Sequence, residues 1–334
     1  MANSLNQKSI TGIGNALVDI LVRLEDDRLL DIFGLPKGSM TLVDEHLSRL
    51  MLERTAGLKQ TMETGGSAAN TIRAVACLNG KAGFIGKICD DGEGRFFRSE
   101  FGRLAVTSHL LYSPTATGKA VALISPDSER TFGTYLGAAS EMTADELTPA
   151  VFEGFDYLHI EGYLIFNHHL IEGVLKLAKN AGLQISLDLA SFNVVEANLD
   201  FLKKLVGEYV DIVFANEEEA RAYTGLDPVD AVRHISQECK IAVVKIGREG
   251  SLICSGESFA KVGTPQVYSV DTTGAGDVYA AGFLYGLAND FSLQNCGRLG
   301  SLLASKVIQV LGARIPDESW AEILMEAERL REKA

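Results

Sequence analysis

The stretch that decides how this chain folds and works is Asp271-Thr272-Thr273-Gly274-Ala275-Gly276-Asp277. A β-rich run at 266–270 precedes it and small residues at 278–288 follow it, which predicts a strand, a glycine-rich turn and a helix start. Backbone N–H groups at a helix N-terminus are unpaired and suit a bound phosphate. Asp277 can cap that helix or act as a general base on a bound hydroxyl. The stretch is therefore either a structural turn with a helix cap or a site for phosphoryl transfer to an alcohol.

Length and composition exclude several classes of function. The chain has 334 residues with 46% hydrophobic and 22% charged content, typical of one large α/β domain or of one domain with a small appendage. A net charge of −13 argues against nucleic acid as a partner, because binding to a phosphate backbone requires clustered Lys and Arg. The five cysteines are far apart and no His-x-x-x-His occurs, which indicates reduced thiols and no Cys/His metal site.

No targeting or membrane segment is visible in the sequence. Residues 1–8 are polar and lack the apolar core of a signal peptide. No apolar stretch is long enough to cross a bilayer. We therefore expect a cytoplasmic protein that does not bind membranes and whose partners are small molecules.

Most of the chain alternates between strand and helix patterns. Short apolar runs typical of buried parallel strands occur at 82–88, 157–160, 184–187, 212–215 and 241–245, with helical patterns between most of them. This alternation predicts an α/β fold with a doubly wound, mostly parallel central sheet, in which ligands bind at the carboxyl ends of the strands.

Two segments depart from this alternation. Residues 16–40 are extended and loop-rich, and residues 106–136 contain consecutive strand-like runs separated by Pro, Gly and Asp turns. We expect them to form a small sheet, antiparallel at 106–136, that covers the substrate site as a lid. The α/β core would then comprise residues 1–15, 41–105 and 137–334.

Polar residues at two further turns are candidates for binding a polyol. Asn15 and Asp19 flank a strand junction, and Asp19 lies between apolar neighbours, where an isolated carboxylate needs a partner. Gly65 and Gly66 precede a helix, where they would either let a ligand approach backbone N–H groups or pack the helix closely on a sheet. Asn70, one turn later, can both donate to and accept from hydroxyl groups.

The common nucleotide-binding motifs are absent. Each Gly-Lys pair is followed by an apolar residue, so none completes a Walker loop. The Gly-x-Gly turns at 12–14 and 274–276 lack the third glycine of the dinucleotide fingerprint, which also argues against an NAD-dependent dehydrogenase. The His-Arg-Asp and Asp-Phe-Gly signatures of protein kinases do not occur.

The chain resembles the ribokinase-like (PfkB-type) carbohydrate kinase family over essentially its whole length. Residues 65–70 (Gly-Gly-Ser-Ala-Ala-Asn) match its first signature and residues 271–277 match its second. Residues 216–219 (Asn-Glu-Glu-Glu) lie between them and fit the Asn-x-x-Glu element of the family. The second signature is highly specific, and the order and spacing of the three motifs also match.

The resemblance implies roles for the residues that carry it. Asp277 would be the catalytic base, and Gly274, Ala275 and Gly276 would present an anion hole to the transferring phosphoryl group. Arg130 matches a position from which related kinases reach toward the phosphates, although it can also be an exposed lid residue. Substrate hydroxyls would be held by Asn15, Asp19, Gly65, Gly66, Asn70 and Asp277.

The resemblance also implies ATP and Mg²⁺ as cofactors, with a monovalent cation such as K⁺ as a further candidate. Asn216 and Glu219 would order Mg²⁺ through its water molecules, since Mg²⁺ retains several waters when bound to proteins. The remaining residues of the ATP site would be Asn216, Lys245, Gly247, Gly250, Thr272, Gly274, Gly276 and Ala304.

The acceptor is less well defined than the phosphate site. The sequence at 12–19 (Gly-Ile-Gly-Asn-Ala-Leu-Val-Asp) is similar to the adenosine-kinase branch, which favours a nucleoside, adenosine above all, over a free sugar of the ribokinase, fructokinase or 2-keto-3-deoxygluconate kinase type. Phe132, Tyr135 or Phe166 could form an aromatic wall for a purine or belong to the core. A non-catalytic nucleoside or sugar sensor is a further alternative, against which Asp277 argues. Both a monomer and a homodimer formed through the lids fit the sequence.

Overall fold

The structure is a computed structural model that describes residues 7–332. Residues 1–6 of the polar N-terminus lie outside the described residues. In chain order the strands are β1 (Ile10–Ile13), β2 (Leu17–Arg23), β3 (Met40–Leu42), β4 (Gln60–Gly65), β5 (Ala82–Ile88), β6 (Thr107–Tyr112), β7 (Thr117–Ile124), β8 (Arg130–Gly137), β9 (Tyr157–Glu161), β10 (Gln184–Asp188), β11 (Ile212–Asn216), β12 (Ile241–Lys245), β13 (Ser251–Ser255) and β14 (Ser258–Val262).

The helices pack against a large sheet. They are α1 (Arg28–Phe33), α2 (Glu45–Thr55), α3 (Ser67–Cys77), α4 (Gly92–Arg103), α5 (His168–Asn180), α6 (Phe192–Ala197), α7 (Leu199–Glu208), α8 (Glu217–Thr224), α9 (Pro228–Glu238), α10 (Ala275–Ala288), α11 (Leu293–Val307) and α12 (Trp320–Glu332). Most begin at a side-chain cap; for example, Asp91 accepts the N–H of Gly94 at 2.8 Å at the start of α4.

Nine strands of the described chain form the large sheet, in the order β14-β13-β12-β11-β10-β9-β1-β5-β6. The strands from β6 to β12 in this order are parallel, and β13 and β14 add an antiparallel hairpin at one edge. This confirms the doubly wound, mostly parallel sheet. The carboxyl ends of the parallel strands meet at one edge, which is where ligands bind in such sheets.

Two hydrophobic cores lie on opposite faces of this sheet. Side chains alternate between them along each strand, as in β11, where Ile212 and Phe214 pack into one core and Val213 and Ala215 into the other. The first core contains α3, α4, α10, α11 and α12, and the second contains α5 to α9. Helices α10 and α11 approach most closely where a Cβ on Gly282 would stand 2.8 Å from the backbone N of Gly300.

A second, five-stranded sheet lies beside the large one, in the order β3-β8-β7-β2-β4. Its membership differs from the expected lid ranges. Strand β6, expected in the lid, pairs in parallel with β5 at the edge of the large sheet, whereas β4, expected in the core, pairs with β2. Within 106–136, β7 and β8 pair antiparallel as expected, whereas β2 pairs with β7 and β3 with β8 in parallel, so the small sheet as a whole is mixed. The pairings therefore place β6 with the core and β4 with the lid, and the division of the chain into core and lid, with these changes, is a proposal.

The residues that precede the glycine-rich turn do not form the predicted strand. Residues 263–273 are irregular and largely exposed, and the N–H groups of Val270 and Asp271 donate to the carbonyl of Ile308 instead of to a neighbouring strand. Val267 and Tyr268 have β propensity but no strand to pair with. Helices α6 and α7 are separated at Asn198, and α11 ends at Val307.

Candidate active site

A long cleft lies at the carboxyl edge of the large sheet and consists of two adjoining cavities. One, of about 650 Å³, is lined by the glycine-rich turn and by residues of β11, β12 and α11; we call it the phosphate cavity. The other, of about 590 Å³, lies between the small sheet and the segments that follow β9 and β10; we call it the acceptor cavity. Gly66, Ser67 and Tyr163 line both, so the two cavities meet at the start of α3.

The glycine-rich turn presents backbone N–H groups to the phosphate cavity. Gly274 has φ 74°, a left-handed conformation that glycine adopts without strain, and it precedes α10. Among the described residues, the N–H groups of Gly274, Gly276 and Asp277 have no backbone acceptor, whereas that of Ala275 donates to the carbonyl of Thr272 at 3.1 Å. The free N–H groups thus differ from the expected set by including Asp277 and leaving out Ala275. They form a concave donor surface suited to an anion.

Asp277 lies where the two cavities meet. Its carboxylate accepts hydrogen bonds from the hydroxyl of Ser67 at 2.7 Å and from the side-chain amide of Asn70 at 3.0 Å. Removal from water raises the pKa of Asp277 to about 6, although these two hydrogen bonds oppose the rise. A carboxylate with this pKa is ionised at neutral pH and still basic enough to accept a proton from an alcohol as that alcohol attacks.

Asn70 has an unused acceptor beside this base. Its side-chain N–H group is bonded to Asp277, but its Oδ1 is buried and has no donor among the described residues. Buried amide oxygens are rarely left unpaired, since an unmade hydrogen bond costs about 1–3 kcal/mol. Because Asn70 lines the cleft, this oxygen is placed to accept a hydrogen bond from a bound hydroxyl.

A buried cation lies under the turn. The ammonium of Lys245 pairs with Asp188 at 2.8 Å, and a Cβ built on Gly276 would stand 3.0 Å from Lys245 Nζ. Burial alone would lower the pKa of Lys245, but the carboxylates of Asp188 and Glu219 outweigh it and raise that pKa. The lysine is therefore charged, and it adds positive potential where a phosphoryl group would lie against Gly276.

Asn216 and Glu219 bond to each other in a reciprocal cap at the start of α8. The Asn216 amide donates to Glu219 at 2.7 Å, and the N–H of Glu219 donates to Asn216 Oδ1 at 2.8 Å. Burial raises the pKa of Glu219 to about 7, with the charge of Asp188 adding to the rise. No cluster of three or more His, Cys, Asp or Glu within residues 7–332 could hold a metal ion. The pair fits Mg²⁺ only through water molecules bound to the ion, since a carboxylate with two hydrogen bonds retains lone pairs for further donors.

Arg130 does not line the cleft. It is 8% exposed, it pairs with Asp271, and its Nη1 donates to the hydroxyl of Thr273 at 3.1 Å. Asp271 in turn accepts the N–H groups of Thr273 at 3.0 Å and Gly312 at 2.9 Å. Arg130 is therefore buried beside the turn and is not an exposed lid residue, and its role toward the phosphates stays a prediction. It connects β8 of the small sheet to the glycine-rich turn.

The inner end of the acceptor cavity contains a carboxyl group that the sequence analysis missed. Glu161, at the end of β9, is 1% exposed; it accepts hydrogen bonds from the side chain of Asn15 and from the N–H of Ala68 at 3.1 Å. Burial raises the pKa of Glu161 to about 7, although those hydrogen bonds oppose the rise. Asn15 and Glu161 together can bind hydroxyl groups of an acceptor.

The rest of the acceptor cavity is mostly apolar. Leu17, Met40, Leu42, Leu136, Met142, Leu164 and Phe166 line it, and Leu42 and Phe166 are each 62% exposed. No Lys, Arg or His is among the lining residues that the structure describes. Of the aromatic residues considered for a purine wall, Phe166 lines the cavity, whereas Phe132 and Tyr135 do not.

The glycine pair before α3 is required by packing. A Cβ on Gly65 would overlap the carboxylate of Asp19, and Gly66 has φ 98° and lies against the carbonyl of Asn15. Close packing therefore requires both glycines, and Gly66 also lines both cavities, where a ligand could approach its backbone. Asp19 lines the phosphate cavity, and burial together with the neighbouring carboxylate of Glu63 raises the pKa of Asp19 to about 7.

The structure brings most of the predicted site residues into this one cleft. Beyond those described above, the expected ATP-site residues that line the phosphate cavity are Gly247, Gly250, Thr272 and Ala304. Asp188, Glu161, Ser67 and Tyr163 were missed. Asp188 and Glu161 each follow an apolar run at the carboxyl end of a parallel strand, and that position could have identified them.

Comparisons with known proteins agree with this arrangement. Residues 41–320 match the model of the pfkB family carbohydrate kinases. A structure described as a probable sugar kinase from Rhizobium etli CFN 42 has a TM-score of 0.86 and 32% identity, covering 97% of this chain and 99% of that one. The adenosine kinase from Sinorhizobium meliloti has a TM-score of 0.84 and 33% identity, covering 98% and 100%. A 5-dehydro-2-deoxygluconokinase from Halalkalibacterium halodurans is 30% identical over 85% of this chain and 90% of its own length.

The chain belongs to the pfkB family of carbohydrate kinases and is a phosphotransferase with a ribokinase-like fold. Kinases of this family use ATP and typically Mg²⁺. The family includes both nucleoside and sugar kinases, and both occur among the relatives of this chain. No helix in residues 7–332 has the length and apolar character needed to cross a membrane.

Proposed function

We propose that this protein transfers the γ-phosphoryl group of ATP to the hydroxymethyl group of a ribose-containing nucleoside, with adenosine as the favoured acceptor. The observation that carries the proposal is the acceptor cavity, which ends in hydroxyl-binding groups, has no basic side chain among the described residues, and is elsewhere mostly apolar with a few uncharged polar side chains. A neutral nucleoside has the same division between a polar sugar and a flat, largely apolar base.

The reaction requires a base at the attacking hydroxyl, and we assign this role to Asp277. The carboxylate accepts the hydroxyl proton as the oxygen attacks the γ-phosphorus, while the bond from that phosphorus to the bridging oxygen of ADP breaks. Ser67 and Asn70 hold the carboxylate in place through their hydrogen bonds. The free Oδ1 of Asn70 would accept a hydrogen bond from a neighbouring hydroxyl of the sugar.

The negative charge of the transferring group is stabilised on the opposite side. The free N–H groups of Gly274, Gly276 and Asp277 would bind the phosphoryl oxygens, and Lys245 would lie beneath them. Asn216 and Glu219 would hold Mg²⁺ through water, and the ion would neutralise charge on the ATP phosphates. The adenine of ATP would extend toward Gly247, Gly250 and Ala304 at the far end of the phosphate cavity.

The lining of the acceptor cavity helps to distinguish a nucleoside from a gluconate-type acceptor and from a free sugar. A gluconate-type acceptor carries a carboxylate, which needs a cation or several hydrogen-bond donors to replace its water. The described lining contains no basic side chain, and its buried carboxyl group, Glu161, would repel such an acceptor, so a carboxylate would depend on uncharged donors such as Asn167 and Asn193. A free neutral sugar such as ribose or fructose is the second candidate, since Asn15 and Glu161 could bind its hydroxyls while the apolar part remained unfilled.

The small sheet would act as a lid that closes over the acceptor and excludes water, which would otherwise hydrolyse ATP. Its strands β2, β3, β7 and β8 all contribute residues that line the acceptor cavity. A cytoplasmic location is part of the proposal and is supported by the dependence on ATP and by five free cysteines.

The test is a coupled assay of ADP release with Mg²⁺-ATP, with and without K⁺. The acceptors are adenosine, inosine, ribose, fructose and 2-keto-3-deoxygluconate. We expect the highest kcat/KM with adenosine. A higher kcat/KM with a free sugar would contradict the nucleoside assignment, and absence of turnover with every acceptor, combined with tight adenosine binding, would favour the sensor. Size-exclusion chromatography of the same preparation distinguishes a monomer from a homodimer.

A further inference from the structure

A separate cavity of about 270 Å³ lies behind the active site, and its lining residues are all different from those of the cleft. It is enclosed by α3, by the end of α4, by Val278 of α10 and by residues 313–320. We call it the arginine cavity, because three of its lining residues are Arg73, Arg103 and Arg314. Clustered guanidinium groups repel one another unless anions lie between them.

Arg73 is the main reason to regard this cavity as a binding site. It is 8% exposed, and within residues 7–332 no carboxylate forms an ion pair or hydrogen bond with its guanidinium; the nearby carboxylates, Glu63 and Asp19, act on it only through their charge. One of its N–H groups donates to the carbonyl of Ala313 at 2.6 Å, and the other four have no acceptor in the described chain. A buried charge without a counter-ion is costly, so an unpaired buried arginine beside an open cavity indicates a missing anion.

The carboxylates around the cavity do not supply the anion that Arg73 lacks. Glu100 pairs with Arg103 at 3.2 Å and, more distantly, with Arg314 at 3.9 Å, and Arg314 also pairs with Asp317 at 3.1 Å, where Asp317 is 75% exposed. Glu63 acts on Arg73 from a greater distance, and its own pKa is raised by burial. The pairs of Arg103 and Arg314 are partly open to water and weakened by salt, so these two arginines can turn toward a bound anion, whereas none of the pairs includes Arg73.

We propose that the arginine cavity is a second ligand site, which binds a small phosphate-bearing anion. Arginine forks bind phosphate oxygens in pairs, which makes phosphate the group that three guanidinium groups fit best. The remaining lining is mostly apolar and includes Leu104, Ile315 and Trp320, and its one carboxylate in the described chain, Asp317, is paired with Arg314. They would contact the organic part of a phosphate monoester, so the anion is either free phosphate or, with more contacts, a phosphate monoester.

The location gives the site a physical connection to catalysis. Helix α3 carries Arg73 on the arginine cavity and Asn70 in the cleft. Ala313, which accepts the hydrogen bond from Arg73, follows Gly312, whose N–H donates to Asp271 of the glycine-rich turn. A bound anion would therefore contact Arg73, which is connected through Ala313 and Gly312 to Asp271 of the glycine-rich turn.

The test uses the fluorescence of Trp320, which is the one tryptophan of the sequence and lines the cavity. Inorganic phosphate and ribose 5-phosphate are titrated into the full-length protein, with a non-hydrolysable ATP analogue and Mg²⁺ present to fill the phosphate cavity. We expect a saturable change with both probes. Tighter binding of ribose 5-phosphate would identify the monoester as the ligand, and equal binding would identify free phosphate.

Variants show whether the arginines bind the probe. The double variant Arg103→Met, Arg314→Met retains the buried Arg73, and it should bind at least about tenfold more weakly because each arginine contributes charged hydrogen bonds. Arg73→Lys should also weaken binding. The control is Arg329→Met, which removes one positive charge from α12 at a side chain that is 70% exposed.

The proposal is overturned by any of three results. These are no saturable fluorescence change and no heat of binding at millimolar probe, a change that the ATP analogue abolishes, or equal weakening in Arg329→Met. None of these measurements depends on the acceptor, so failure here is distinguishable from failure of the kinase proposal.

Discussion

The two halves of the cleft are built in different ways. In the phosphate cavity the binding groups are mainly backbone N–H groups of one turn, supported by Lys245 from a neighbouring strand. In the acceptor cavity the binding groups are side chains from both sheets, among them Leu17 and Leu42 from the small sheet and Glu161 from the large one. A backbone site requires particular glycines at fixed spacing, whereas a side-chain site can be assembled from positions scattered over the chain.

This difference explains why the phosphate cavity indicates the type of reaction, whereas the acceptor cavity determines the substrate. A phosphoryl group is the same in every reaction of the family, so a conserved turn geometry is sufficient to bind it. The acceptor differs between relatives, and its recognition depends on side chains that hydrogen-bond or contact it. Variants on the two sides should therefore separate effects on ATP from effects on the acceptor.

Asp277 belongs to both halves, and its loss should have the largest effect. We expect Asp277→Asn to lower kcat on the order of 10³-fold, because the attacking hydroxyl loses the group that accepts its proton. The KM values for ATP and acceptor should change little. Steady-state kinetics and a thermal melt provide the measurement, and Asp290→Asn, at an exposed carboxylate beyond the end of the same helix, is the control. Near-normal turnover in Asp277→Asn would remove Asp277 from the mechanism.

The phosphate half was predictable from the sequence to a greater extent than the acceptor half. Residues 271–277 carry the turn and the base in one local motif, and the alternation of strands and helices predicted the parallel sheet that positions them. The position of Arg130 could not be decided from the sequence, because its pairing with Asp271 depends on how the two sheets pack. Glu161 was missed although it ends a parallel strand, because its contacts with Asn15 and Ala68 arise only when distant segments pack together.

The membership of the small sheet could also be predicted only in part from the sequence. Strand β6 has a sequence that suits either sheet, and only its pairing with β5 places it at the edge of the large one. Residues 266–270 have β propensity but remain irregular, since propensity alone does not supply a pairing partner. Local patterns therefore predicted most elements, and long-range pairing decided which elements surround the acceptor.

Removal of the cation in the phosphate half should have the next largest effect. We expect Lys245→Met to lower kcat/KM for ATP by about 10²-fold and to leave the acceptor KM within about threefold. This change leaves Asp188 buried and unpaired, so the double variant Lys245→Met, Asp188→Leu removes the stranded charge and separates catalysis from folding. Lys261→Met, at an exposed ion pair, is the control. An equal change in acceptor KM would contradict the division of the cleft.

A variant of Glu161 tests the acceptor half of the cleft, where we expect the KM for the acceptor to change and the KM for ATP to stay the same. We expect Glu161→Gln to raise the acceptor KM by about tenfold and to leave the KM for ATP unchanged, because the amide keeps the shape but loses a charged acceptor of hydroxyl hydrogen bonds. Initial rates at varied acceptor and varied ATP provide the measurement. A change confined to the KM for ATP would contradict the assignment.

The pH dependence of stability gives Glu161 a second test. Its pKa is about 7 in the folded protein, above the ordinary value of 4.5, so the folded state binds more protons than the unfolded state between these pH values. The free energy of unfolding therefore falls as pH rises through this window, on the order of 1–3 kcal/mol for this group. Glu161→Gln should reduce that fall, which chemical denaturation at pH 5 and pH 8 measures. An unchanged difference between the two pH values would show that the carboxyl group is not buried as the fold requires.

The smallest effect should come from the lid. Leu42 is 62% exposed and lines the acceptor cavity, so a bound nucleobase would cover it and gain roughly 1 kcal/mol of apolar contact. We expect Leu42→Ser to raise the KM for adenosine by about three- to tenfold and to leave the KM for ribose and for ATP unchanged. Ile32→Ser, at a residue that is 56% exposed on α1 and does not line the cavity, is the matched control. Because ribose lacks a base, a similar rise in the KM for ribose would show that Leu42 acts through closure of the lid and not through contact with the base, and the apolar cavity would then no longer favour a nucleoside.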